Sequence, residues 1–112
     1  MFPAVMVWLH AGKGRAMNPY IQQIKEIVLK CLHEEPVRVF LFGSWARGTA
    51  QHGSDVDIAV EYREGASGWR KIGELRELLE ESTVPYHVDV IDMQKAAEGL
   101  VQEIRKDGIR WK

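Results

Sequence analysis

At 112 residues the chain has room for one folded domain and little more, and its 15 Lys+Arg against 16 Asp+Glu leave a formal net charge of −1, so indiscriminate binding to nucleic acid or anionic membrane has no electrostatic basis. Apolar residues make up 46% and charged residues 28%, the balance of a globular protein with a buried core rather than of a disordered tail. The single Cys31 excludes an intrachain disulfide and a multi-thiolate zinc centre, which points to the cytoplasm, and no stretch approaches the roughly 20 apolar residues that span a bilayer.

Residues 1–16 open on a short apolar run with no basic segment before it, followed by Gly12-Lys13-Gly14-Arg15, a poor match to an export signal. No Gly stands five residues before Gly12 and no Ser or Thr follows Lys13, so this is not a phosphate-binding P-loop either. Gly-Lys-Gly-Arg is also encodable wholly by purines, as a ribosome-binding site would be. This motivates two expectations: a translated leader with the true start at Met17, or an arm that packs on a partner. From residue 17 to 112 the pattern reads as one domain.

Asn18 is suited to cap a helix and Pro19 to its first position, and the apolar spacing of Tyr20, Ile21, Ile24, Ile27, Val28 and Cys31 carries that helix to about His33, before Glu34-Glu35-Pro36. Residues 37–42 are a β-branched and aromatic run, which predicts a strand covered on both faces. Gly43-Ser44 breaks it, residues 44–50 allow a short helix, and a turn at 51–54 leads into a second strand at 55–60. After a loop at 65–68, Trp69, Ile72, Leu75, Leu78 and Leu79 have helical spacing; Pro85 precedes a third strand at 86–91. Ala97, Leu100, Val101 and Ile104 mark a last helix that Asp107-Gly108 stops ahead of Ile109 and Trp111. The result is an α/β (α+β) domain in the order α-β-α-β-α-β-α.

Chemistry concentrates in LFGSWARGTAQHGSDVDI, residues 41–58. Gly43 ends a buried strand and lets a ligand approach the backbone, while Ser44 offers a hydroxyl and an N–H at a helix start, where the dipole favours phosphate. Alternation along a strand puts Asp55 and Asp57 on one face, about 6.5 Å apart along the backbone at roughly 3.3 Å per residue. Two carboxylates about 5 Å apart repel by roughly 3 kcal/mol at an effective dielectric near 20, so a cation belongs between them. Hard divalent ions such as magnesium prefer carboxylate and phosphate oxygens, and Asp89 on the third strand, between the oppositely facing Val88 and Val90, is the natural third ligand.

Each feature alone has a plainer reading: a turn for Gly-Ser, a solvated strand end for Asp-x-Asp, an arginine partner for a lone strand aspartate. Arg47 is placed equally well against a triphosphate or a nearby acid. His52 and His87 lack the spacing of a metal pair and read as structural or exposed, and Trp45 as a packing residue before a base-stacking one.

The combination G-S-x10-D-x-D, with Arg47-Gly48 inside it and Asp89 on a later strand, resembles the nucleotidyltransferase superfamily related to the palm of DNA polymerase β. Within it the chain is similar to the minimal nucleotidyltransferases, which are frequently paired with HEPN-domain proteins as toxin–antitoxin modules. The resemblance covers residues 18–112 and meets no departure at Gly43, Ser44, Asp55, Asp57 or Asp89. It implies a small mixed β-sheet with helices on one side, a nucleotide site at Gly43, Ser44 and Arg47, two magnesium ions held by Asp55, Asp57 and Asp89, and transfer of AMP from ATP. So short a chain leaves no room for an acceptor domain, so a HEPN partner or a second copy of the chain is expected to complete the cleft. Two functions follow: an antitoxin enzyme that transfers AMP to a hydroxyl of its HEPN ribonuclease partner, or a non-catalytic antitoxin that neutralises the partner by covering it.

Overall fold

The computed structural model describes residues 18–51 and 53–112; the expected leader or arm at 1–16, the start at Met17 and the histidine at 52 lie outside the described residues. Helix α1 (Pro19–Cys31) begins as its sequence dictates, with the Asn18 side chain accepting from the N–H groups of Tyr20 and Ile21 and Pro19 in the first turn. It stops short of His33 because Leu32 is drawn fully into the core and closes the turn with Glu35.

Four strands follow, with two short helical segments and two longer helices between them. These are β1 (Val37–Phe42), α2 (Ser44–Arg47), β2 (Val56–Tyr62), α3 (Trp69–Glu80), β3 (Val88–Asp92), a 3-10 turn at Met93–Lys95, α4 (Glu98–Asp107) and β4 (Ile109–Arg110). The sheet order is β3-β2-β1-β4, with β2 parallel to β3 and antiparallel to β1, and β4 antiparallel to β1, so the sheet is mixed. The tail at Ile109 and Trp111 adds a short strand that the sequence order did not contain, and Trp111 donates its N–H to Val39 O at 2.7 Å.

Strand alternation divides the core. Val37, Val39, Leu41, Val56, Ile58, Val60 and Val90 face α1 and α3, which contribute Ile21, Ile24, Val28, Ile72, Leu75 and Leu79. On the other face Phe40, Phe42, Ala59 and Ile91 pack with Met93 and with Leu100, Val101 and Ile104 of α4. Helices therefore cover both faces, whereas the family pattern implied one. The α4 face is apolar only in its middle: Asp57 and Asp89 lie at one end of it and Glu61 at the other, where Arg105 of α4 holds Glu61 at 2.6 Å. That leaves one end of the sheet open above the carboxylates.

Candidate active site

Local backbone conformation builds the first half of the site. β1 ends at Phe42 opposite Asp57, and Gly43 then turns the chain with φ 77° and ψ −155°, a region open essentially only to glycine. A Cβ at Gly43 would overlap the Asp57 carboxylate, so the missing side chain is what seats that carboxylate against the turn. Ser44 opens the single turn of α2, whose first N–H groups have no partner within the helix. Gly43→Ala should destabilise the chain by about 1–3 kcal/mol through backbone strain and displacement of Asp57. A urea melt coincident with wild type would show that Asp57 does not sit against the turn.

The second half is set by sheet register. Asp57 and Asp89 are direct partners across the parallel β2–β3 pair, one inter-strand spacing of about 4.8 Å apart along the sheet. Asp55 does not share the strand with Asp57 as its spacing suggested. It precedes β2 and is exposed, because main-chain pairing begins only where Val56 N–H donates to His87 O and β1 has already ended. The third strand likewise starts at Val88 rather than 86, since Tyr86 leaves the sheet to pack on Trp45 and Tyr20 and to accept from Asn18.

The Asp57 carboxyl is held above the usual carboxylate range, first by burial and then by the charges of Asp89 and Asp55; Arg47 opposes this and Glu103 adds to it. Asp55 and Asp89 thus both act electrostatically on Asp57. Yet among the described residues no three His, Cys, Asp or Glu side chains converge into a metal-holding group. The set nevertheless consists of hard oxygen donors, the chemistry a magnesium ion takes. The donor types fit the ion and the side-chain convergence is not preformed.

Arg47 lies near enough to Asp57 to lower its pKa, but its Nη1 is paired with Glu103 Oε2 of α4 at 3.1 Å, both side chains more than two-fifths exposed. Such a pair contributes less than about 1 kcal/mol and is readily exchanged for another anion. Glu103 is the member of this neighbourhood that sequence reasoning missed: it stands 56 residues away, and no spacing signals it. Trp45 is 8% exposed, donates its indole N–H to Ser54 O and stacks at an angle on Tyr86, so it is a packing residue. His87 is exposed, and its carbonyl serves the sheet.

A glycine-serine turn with the Asp57 carboxylate seated against it offers backbone N–H groups and hard oxygen donors, which suit phosphate and a divalent ion respectively. The polymerase beta nucleotidyltransferase family matches residues 22–110, and the chain belongs to that family. It is 28% identical over 95 residues to the protein adenylyltransferase MntA of Shewanella oneidensis, a match that takes in 79% of this chain and 65% of that relative's length. Among solved structures it is similar to a toxin–antitoxin crystallised with AMP-PNP, at 26% identity and a TM-score of 0.58 over 79% of this chain and 72% of that one. It is also similar to a minimal nucleotidyltransferase, at 28% identity and a TM-score of 0.62 over 79% of this chain and 88% of that one. No helix among the described residues is long and apolar enough to cross a membrane.

Proposed function

We propose that this chain is a magnesium-dependent protein adenylyltransferase that moves AMP from ATP to a hydroxyl of a HEPN-domain partner, and that it thereby acts as the antitoxin of that partner. The observation that carries the reading is the Asp57 carboxylate seated against Gly43, under the charge of both Asp55 and Asp89, at the mouth of the Gly43-Ser44 turn. The relatives that share this architecture include an adenylyltransferase and a toxin–antitoxin holding an ATP analogue.

In this reading the Gly43 backbone lets the triphosphate approach, and Ser44 supplies a hydroxyl and an N–H to its oxygens. Arg47 exchanges Glu103 for phosphate. Asp55 and Asp57 would hold magnesium against the triphosphate, and the ion supplies charge neutralisation for the departing pyrophosphate. Asp89, across the sheet from Asp57, receives the acceptor hydroxyl and helps remove its proton. The products are an adenylylated partner and pyrophosphate.

The purified chain, incubated with its partner, labelled ATP and magnesium, should place label on the partner. A partner that is silenced in the complex without ever acquiring label would instead establish inhibition by covering alone. Magnesium and ATP together should also raise the melting temperature more than either does separately. At a hundred times its dissociation constant a ligand adds about 2.7 kcal/mol, on the order of 10 °C for a domain of this size. An unchanged melt with both at millimolar levels would remove the nucleotide site.

A further inference from the structure

Among the described residues β3 is an edge strand, and it carries the third aspartate. Val56 N–H takes His87 O from the inner side, while the Arg76 guanidinium takes Val90 O from the outer side through Nε and Nη2, at 3.2 and 2.7 Å. Alternation of main-chain groups then turns Val88, Val90 and Asp92 outward along about 16 Å of extended chain, so this edge presents their N–H groups while Arg76 already holds the central Val90 C=O. Two clefts follow the edge, one of about 310 Å³ toward Trp69 and Lys95 and one of about 550 Å³ toward Tyr86 and His87. Both are lined by Arg76, Asp89 and Val90, which makes them one trough with Asp89 at its midpoint.

We propose that this trough receives the acceptor segment of the partner protein, in extended conformation, paired to the β3 edge with its hydroxyl-bearing residue at Asp89. The proposal rests on the adenylyl-transfer reading for the role of Asp89, and three observations select the occupant. A strand edge recognises extended main chain, as in β-augmentation, and not a compact small molecule. The trough is continuous with the reaction site through Asp89, where the acceptor must arrive. Its far end is lined by Lys95 and by a Trp69 ring that is 63% exposed with Arg70 packed over it at 5.1 Å, and neither Lys95 nor Arg70 is in an ion pair among the described residues. That end suits an apolar side chain against the indole, flanked by an acidic one. Arg76, pinned by the Val90 carbonyl, keeps further N–H donors for the incoming chain and blunts the edge against unguided pairing until the segment docks.

The test uses the full chain and, as partner, a HEPN-domain protein. Hydrogen exchange measured on the chain alone and in complex should show new protection at the Val88, Val90 and Asp92 amides. A complex without added protection there, or no complex, overturns the proposal. So does an edge already protected in the isolated chain and freed by deleting residues 1–16, because the trough would then hold the chain's own arm. Trp69→Ala and Lys95→Glu, both at exposed positions, should each raise the KM for the partner at least tenfold and leave the KM for ATP within twofold; an effect confined to ATP overturns the proposal. An edge protected in a wild-type complex that transfers no label would fail the transferase reading while upholding the docking surface.

Discussion

Asp57→Asn is expected to lower label transfer by at least about 10³-fold, the scale set by several kcal/mol of lost charge stabilisation, and yet to melt at or above the wild-type temperature in metal-free buffer. The two effects have opposite signs because the same charge is useful to the reaction and costly to the fold. Burial and the charges of Asp89 and Asp55 hold the Asp57 carboxyl above the usual range. A carboxyl whose folded-state pKa is raised binds its proton more tightly folded than unfolded. Its contribution to stability is therefore full below the ordinary carboxylate range and is lost as the pH rises through the raised value. The advantage of the amide variant over wild type should accordingly be small near pH 4 and grow toward pH 7.5, and magnesium should reverse it, since only the wild type offers the ion a carboxylate at that position. Thermal melts at the two pH values, with and without magnesium, check each sign. A variant that unfolds, with activity lost in proportion, would make Asp57 a structural residue.

How far the sequence reaches depends on whether a residue acts through its neighbours in the chain. Asn18-Pro19 sets a helix start by local hydrogen bonding and φ restriction, and α1 begins at Pro19 as expected. The β-branched and aromatic run from Val37 to Phe42 fits a strand covered on both faces, and β1 has those bounds, with only Arg38 exposed. Gly43 ends β1 as a glycine after an apolar run suggests, and period-two alternation alone turns Asp89 away from the Val88 and Val90 side. What escaped the sequence is non-local. Two residues at Ile109–Arg110 carry too little pattern to announce a strand, and β1 accepts them only because the end of α4 delivers them to its free edge. The pairing of Arg47 with Glu103 and the departure of Asp55 from the strand are set by where α4 crosses and where β1 ends. The helix on the second sheet face has the same origin, since an amphipathic helix pattern does not say which face of the sheet it will cover.

Asp89→Asn should separate binding from chemistry. In the proposed function Gly43, Ser44 and the Asp55/Asp57 pair would meet the nucleotide from one side, whereas Asp89 lies one strand further out and lines the trough along the β3 edge. Its amide replacement should leave ATP affinity within a few fold and lower the transfer rate by about 10²-fold or more, the usual scale for losing one proton acceptor. A second readout needs neither acceptor nor ATP. The Asp89 charge is the largest electrostatic contribution raising the Asp57 pKa, after burial, so neutralising it should bring the Asp57 titration down toward the ordinary carboxylate range. Carbon-13 NMR of the Asp57 carboxyl in wild type and variant measures that shift directly. Transfer that falls while the Asp57 titration drops and ATP still binds puts both carboxylates in one site with divided duties. An unmoved Asp57 titration would mean that the two strands' carboxylates do not interact. Label appearing on the partner equally with both proteins would take Asp89 out of the reaction, and would leave the acceptor to approach from the Arg47 side of the sheet instead.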